Sequence, residues 1–324
     1  MYTSQIGDDF AQSIKKGFGR ASQKSVDSKY FYDTEGSILF EEICRQPEYY
    51  PWRVEASLVK QHSKEIIRMF DENIALVELG SGSSMKTKML LRELLLTQPD
   101  VYYLPIDVSK EMLYKTTKEL ISTFSNLRVT GISSEYIDGI DRANELIVSN
   151  PHIPCRKLII FLGSSIGNFE PEDSVAFLRQ LRSKMDKKDN LVVGMDLRKD
   201  RIFLEEAYND SKGITARFNL NLLTRINREL DGNFNHNLFA HYAFYNTIYD
   251  RIEMHLISTI EQQVYVGRLS EAFSFRRGET IHTENSYKYS LEEISRMAEK
   301  SRFTLKRNFI DKKGWFSLAV FSPA

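Results

Sequence analysis

Cysteine is nearly missing: Cys44 and Cys155 are the two in 324 residues, and no C-x-x-C spacing joins them. Their separation argues against a disulfide framework and against a zinc site, so no metal is expected, and a reducing cytoplasm fits best. Neither sign of charge is in excess, since Lys plus Arg and Asp plus Glu both come to 44. No global field draws such a chain onto nucleic acid or an anionic membrane, and no basic stretch interleaved with aromatics marks a nucleic-acid surface. Long apolar runs are absent as well. The longest, Leu158 to Leu162, is far below the roughly 20 residues that span a bilayer. The N-terminal stretch mixes acids, bases and amides where a secretory signal needs an unbroken apolar segment, so no export is expected. Repeats and low-complexity tracts are lacking too. What is present is ordinary for a globular protein: 42% hydrophobic residues, enough for one large core or two modest ones.

The middle of the chain alternates between short apolar runs and helical patterns. Ile74 to Leu79 ends at Gly80-Ser-Gly82 and passes into Lys86 to Leu96, whose Met89, Leu90, Leu94 and Leu95 suit one helix face. Tyr102 to Ile106 ends at Asp107 and is followed by a helical stretch from Lys110 to Phe124. Lys157 to Leu162 and Asn190 to Met195 add two further short strands. Strands alternating with helices predict a parallel sheet covered on both faces. Ser290-Leu-Glu-Glu293 has capping-box spacing and opens a helix, and Trp315 to Phe321 reads as a strand returning to the main sheet.

Two regions stand outside that rhythm. The segment from Arg198 to about Gly278 is rich in Asn, Tyr, Phe and Arg and reads as an insertion, with a strand carrying one polar face expected at Arg251 to Thr259. The first 55 or so residues carry an aromatic cluster, Tyr30-Phe-Tyr32 and Tyr49-Tyr50-Pro51. Together they are expected to form a second lobe.

Two motifs carry chemistry. In VELGSGSSMKT, a strand runs into Gly80-Ser-Gly82, where the missing Cβ atoms let the backbone turn sharply and approach a ligand. Alone, this fits a structural turn equally well, because the third glycine of a dinucleotide fingerprint is missing. Asp107, at the tip of the next strand, stands where doubly wound folds place a carboxylate for ribose hydroxyls; the alternative is a solvated residue opening a helix. The Val-Glu-Leu-Gly lead-in and the missing glycine favour adenosylmethionine over a nicotinamide dinucleotide. In FLGSSIGNF, the strand opens into a Gly-Ser loop that overhangs the ligand crevice of an open α/β sheet. Asn168 can both donate and accept there, or serve as an ordinary turn residue before the next helix.

These motifs occur in a recognisable order. Lys29-Tyr-Phe-Tyr-Asp-Thr-Glu-Gly-Ser37, Gln46-Pro-Glu-Tyr-Tyr-Pro51 with Arg53 and Glu55, VELGSGSS, FLGSSIGN and Arg251-Ile-Glu-Met254 together resemble the histidine-specific N-α-methyltransferases of ergothioneine biosynthesis, from about Lys29 to Phe321. The resemblance implies an α/β fold: a class I, Rossmann-like core at residues 60–196 and 287–324, with a substrate-binding lobe at 1–59 and 197–286. It implies S-adenosylmethionine as cofactor, held by Gly80, Gly82, Lys86 and Asp107, with Glu135 and Tyr136 at the adenine; the family commonly has Asp-Phe in place of that last pair. On the amino-acid side it implies Tyr49, Asn168 and Tyr208 at the α-amino and carboxylate groups, Tyr32 near the amine, Met254 in the pocket, and Glu284 with Ser286 at the imidazole. Asn168, Tyr49 and Tyr32 are thus the candidate catalytic positions.

The last pair also makes sense from geometry, because two residues separated by one face the same side of an extended segment. A carboxylate and a hydroxyl there give an imidazole one partner for each nitrogen. The expected reaction is methyl transfer to the α-amino nitrogen of histidine, and the resemblance implies three transfers giving hercynine. The expected partner is this small amino acid, with neither nucleic acid nor membrane, and the chain is expected to be a cytoplasmic monomer. The competing readings are a sister enzyme acting on another aromatic amino acid, a non-catalytic adenosylmethionine-binding regulator, and a dehydrogenase with a degenerate glycine turn.

Overall fold

The fold was analysed in a computed structural model that describes residues 3–324; residues 1 and 2, where the expected N-terminal lobe begins, lie outside the described residues. The chain opens with α1 (Thr3–Phe18), β1 (Lys24–Ser25), α2 (Thr34–Cys44) and α3 (Tyr50–Ile67). It continues through β2 (Ala75–Leu79), α4 (Thr87–Thr97), β3 (Val101–Asp107), α5 (Lys110–Thr123), β4 (Leu127–Val129), β5 (Ile132–Ser133), α6 (Tyr136–Ser149), β6 (Lys157–Phe161), α7 (Pro171–Ser183) and β7 (Asn190–Asp196). Then come α8 (Arg201–Glu206), α9 (Ile214–Leu230), β8 (Phe239–Asn246), β9 (Arg251–Ser258), β10 (Gln262–Val266), β11 (Glu271–Phe275) and β12 (Thr280–Tyr287). The chain closes with α10 (Leu291–Lys300), β13 (Phe303–Ile310) and β14 (Phe316–Pro323). Among the described residues no helix is long and apolar enough to cross a membrane.

The chain divides into two compact units, Met1–Tyr49 with Lys199–Tyr287, and Tyr50–Arg198 with Lys288–Ala324. The first division falls before Tyr50 and not after residue 59. The reason is that α3 runs unbroken and sends Leu58, Val59, Ile66 and Ile67 into the core of the later unit.

That unit is built on a sheet of order β13-β14-β7-β6-β2-β3-β4. The strands from β7 to β4 are parallel, and β14 joins β7 antiparallel, pairing Phe316 with Asp196 and Phe321 with Leu191. β2, β6 and β7 are buried at every position, which is why they read as short unbroken apolar runs. Helix starts follow local chemistry: Ser109 accepts from the Met112 amide at α5, Pro171 occupies the first turn of α7, and Ser290 with Glu293 forms a reciprocal capping box at α10. The order reverses between β2 and β6, so the crossovers from these strands leave in opposite directions and a crevice opens at their C-terminal ends.

The unit that contains the chain's start holds a sheet of order β1-β12-β9-β8 and a hairpin, β10-β11. Its first segment pairs with the insertion, as β1 lies parallel to β12 with Lys24 beside Ile281. Phe18 of α1 packs edge-on against Phe273 and Phe275 at 5.3 and 5.9 Å. The strand expected to carry one polar face does so, with Arg251, Glu253 and His255 on one side, but that face is largely buried. β9 is an inner strand between β8 and β12, and its Glu253 and His255 are buried together with its apolar residues.

One buried ionic contact stabilises the C-terminal edge of the larger sheet. Asp196 ends β7, and its Oδ2 accepts from Lys288 Nζ at 2.9 Å and from the Tyr50 hydroxyl at 2.7 Å. Both charges are almost fully excluded from solvent. Removing one partner strands the other in a low-dielectric environment. Lys288→Ala is expected to cost about 3–5 kcal/mol in urea unfolding, whereas the double change Lys288→Met with Asp196→Leu recovers most of it; a single variant as stable as the parent would contradict this.

Candidate functional site

The sheet unit carries the cofactor-type features. Gly80 and Gly82 follow β2 with φ of +69° and +47°, the left-handed region that favours glycine. A Cβ at Gly82 would meet nothing within 4 Å, so the turn is open on that side, whereas a Cβ at Gly80 would lie 3.4 Å from the Tyr136 hydroxyl and 3.5 Å from its ring. Between them, the Ser81 hydroxyl is buried without a hydrogen-bond partner among the described residues. Asp107 reaches across from β3: its Oδ2 accepts from the Gly82 amide at 2.8 Å and its Oδ1 from the Ser109 amide at 2.9 Å. Burial raises its carboxyl above the usual range, and these amides oppose the rise. The carboxylate keeps acceptor capacity beyond them for ribose hydroxyls. A cradle with left-handed glycines, an unbonded buried hydroxyl and an anchored acceptor fits a nucleoside ligand.

Tyr136, the first residue of α6, also contacts Phe161 edge-on at 5.1 Å, while Glu135 before it is exposed. Burial, with the charge of Asp107 next, pushes the Tyr136 hydroxyl up, so it stays a neutral phenol.

Lys86 is already compensated by the protein. Its Nζ pairs with Glu55, which is fully buried, and both oxygens of that carboxylate accept from the Gly163 amide at 2.8 and 2.9 Å. Glu55 of α3 therefore links the β2–α4 turn to the loop after β6. Gly163 itself has φ +83° and Ser164 φ +57°, and this sharp bend leads into the short 3-10 segment Ser165–Asn168 that leaves Asn168 half-buried. Nothing in the sequence shows that the partners of Glu55 are residues 86 and 163.

The glutamate of the lead-in proves to be structural. Glu78 accepts from the Thr87 hydroxyl at 2.6 Å and from the Tyr103 hydroxyl, and Tyr103 in turn lies 2.7 Å from the Ser84 hydroxyl. Glu78 thus ties the glycine turn to the start of α4.

The residues expected to hold the amino acid collect in the unit that contains the chain's start, with Asn168 the exception. Phe40, Ile43, Tyr49, Ala207, Tyr208, Thr215, Phe218, Met254 and Glu284 line a partly open cavity. Met254 of β9 and Glu284 of β12 are direct cross-strand partners, and Ser286 lies two residues further along β12. Ser286 is tied to the cavity through Tyr208, whose hydroxyl donates to Ser286 Oγ at 2.8 Å. Tyr49 and Tyr208 meet edge-on at 6.1 Å, and Tyr32 packs edge-on against Phe40 and Phe218. Burial holds the Tyr49 hydroxyl well above its ordinary range, reinforced by Tyr208 and Glu284, so it remains protonated. Phe40, Ile43, Thr215 and Phe218 escaped notice because on α2 and α9 they follow the spacing of ordinary core residues.

Glu78 generates a pH prediction. Burial raises its carboxyl to about 7 against the Thr87 and Tyr103 hydrogen bonds. The folded state therefore holds this proton more tightly than the unfolded chain, and the resulting stabilisation is complete below the ordinary carboxylate value and lost as pH rises through 7. Denaturant midpoints of the parent are expected to fall between about pH 5 and about pH 8 relative to Glu78→Gln, which lacks the titration. Parallel pH profiles for the two proteins would refute it.

A family model described as histidine-specific, SAM-dependent methyltransferase matches residues 10–323. The chain is 36% identical to the histidine N-alpha-methyltransferase of Mycolicibacterium smegmatis, over 93% of this chain and 91% of that protein. It is 30% identical to ergothioneine biosynthesis protein 1 of Schizosaccharomyces pombe, over 91% of this chain and 38% of the longer protein. It is 27% identical to the 4-dimethylallyltryptophan N-methyltransferase easF of Claviceps purpurea, over 91% and 89%. With the glycine cradle, the anchored Asp107 and a match over almost the entire length, the chain belongs to the histidine-specific, SAM-dependent methyltransferase family.

Proposed function

We propose that this protein transfers methyl groups from S-adenosylmethionine to the α-amino nitrogen of histidine, in three rounds that yield hercynine, as the first step of ergothioneine formation. The observation that carries the reading is the direct pairing of Glu284 with Met254 in a cavity otherwise walled mainly by aromatic and aliphatic side chains. Aromatic walls accept any flat ring of suitable size. A carboxylate in such a wall selects a ring with an N–H, which can donate it a charge-assisted hydrogen bond that a purely hydrocarbon ring cannot. Ser286, with Tyr208, supplies a partner for the second nitrogen, which an indole lacks.

Adenosylmethionine supplies a methyl group already activated on a sulfonium. The turn at Gly80 and Gly82 cradles it, Asp107 accepts from its ribose, Tyr136 and Glu135 stand at the adenine, and Lys86, held by Glu55, fixes the start of α4. Tyr49, Tyr208 and Asn168 orient the amine and carboxylate of the amino acid, with Tyr32 near the amine. In-line attack needs the amine lone pair free and aligned; alignment alone contributes roughly 7–11 kcal/mol. As a neutral phenol, Tyr49 orients the amine by hydrogen bonding, and the amine proton leaves through water. The reading includes a monomeric, cytoplasmic protein.

Incubation with adenosylmethionine and a mixture of free amino acids, followed by mass spectrometry, is expected to show histidine gaining one, two and then three methyl groups. Methylation of tryptophan or tyrosine in its place would support the sister specificity, and cofactor binding without turnover would support the regulator. Glu284→Ala is expected to weaken histidine binding at least about tenfold and leave adenosylmethionine affinity unchanged in calorimetry. Asp107→Ala is expected to do the reverse. Equal loss of both ligands in either variant would defeat the assignment of that residue.

A further inference from the structure

The sheet β1-β12-β9-β8 contains a polar cluster for which methyl transfer has no use. Glu253 and His255 alternate along β9 and so share one face, and His255 is the direct cross-strand partner of His282 on β12. The two imidazoles stack with centroids 4.9 Å apart. One ligand-type atom from each of Glu253, His255 and His282 lies within 4.8 Å of the other two. Glu253 and His255 are only 8% and 7% exposed, so this is no solvated surface group of acids.

The hydrogen bonds suit coordination. His282 Nε2 faces two acceptors, Asn285 Oδ1 at 2.8 Å and the Glu284 carbonyl at 3.1 Å, which assigns the proton to Nε2 and the lone pair to Nδ1. A histidine that binds a metal through one nitrogen characteristically donates from the other in this way. His255 Nε2 lies 3.1 Å from Glu253 Oε2, and its Nδ1 is buried with no hydrogen-bond partner among the described residues. Arg251 and Asn246 hold Glu253 Oε1 at 2.8 and 2.9 Å, which fixes the carboxylate with Oε2 toward His255. The cluster thus offers two imidazoles, a pre-oriented carboxylate and one buried nitrogen whose bonding capacity the protein does not fill.

We propose that Glu253, His255 and His282 form a binding site for a divalent first-row transition ion of the Zn²⁺ type. Two imidazole nitrogens and one carboxylate oxygen favour such an ion over Ca²⁺ or Mg²⁺, which prefer all-oxygen shells. The charge of Arg251 beside Glu253 works against the ion and lowers its affinity.

The test uses the full chain, stripped with chelator and titrated with Zn²⁺ by calorimetry and with Co²⁺ by visible absorption. One equivalent of Zn²⁺ is expected to bind and raise the melting temperature, and Co²⁺ is expected to show the absorption bands of nitrogen ligation. His255→Gln and His282→Ala are each expected to weaken binding at least about tenfold, with adenosylmethionine affinity retained as proof of folding. If a variant does not fold, the Co²⁺ spectrum of the parent decides. No saturable binding, a spectrum of the hydrated ion, a thiolate band placing the ion on Cys44 or Cys155, or unchanged affinity in folded variants would each overturn the site.

Discussion

Parallel strands whose crossovers leave in opposite directions cannot close the gap between their own tips, and the rest of the sheet unit answers to that constraint. β2 and β6 are the neighbours where the order reverses. The open turn at Gly82, the half-buried Asn168 and the Glu55 carboxylate all belong to loops at those tips or to what braces them. Asp107 contributes from the next strand over, because β3 pairs with β2 in register and ends beside it. Ligand chemistry at this edge follows from topology before any particular side chain is chosen.

The polar groups that support this edge are satisfied from within. Glu78 is bonded by two hydroxyls, Asp107 by backbone amides, Glu55 by an ammonium and an amide, and Asp196 by Lys288 and Tyr50. Ser81 in the turn is different, since its buried hydroxyl has no partner among the described residues. A frame saturated with internal bonds, with an unspent donor within the turn itself, is preorganised for a ligand and loses little freedom when one arrives.

The sheet unit was largely legible in the sequence because strands buried on both faces leave uniform apolar runs, and because a glycine bend or an acid ends each run at the crevice. Ala75–Leu79 with Gly80 and Val101–Asp107 are examples. The other unit was less so. Its cavity depends on Met254 meeting Glu284 across strands 30 residues apart in sequence, with a register shift between His282 and Glu284 that no periodicity reveals. The polar face read at Arg251–Ser258 is there, but its burial was not legible, because it follows from an inner strand with partners on both edges. Residues such as Phe218 and Thr215 are spaced as any helix core would space them, so only the neighbouring elements show that they border an opening.

The bond network of Glu55 sets where the smallest self-sufficient piece of the sheet unit can begin. A polypeptide started at residue 60 would retain every strand of that sheet, yet Lys86 would face no counter-charge and the Gly163 amide no acceptor. The first turns of α3 are therefore part of the scaffold around the glycine bend, and dissection of this chain into separately expressed halves has to cut upstream of Tyr50.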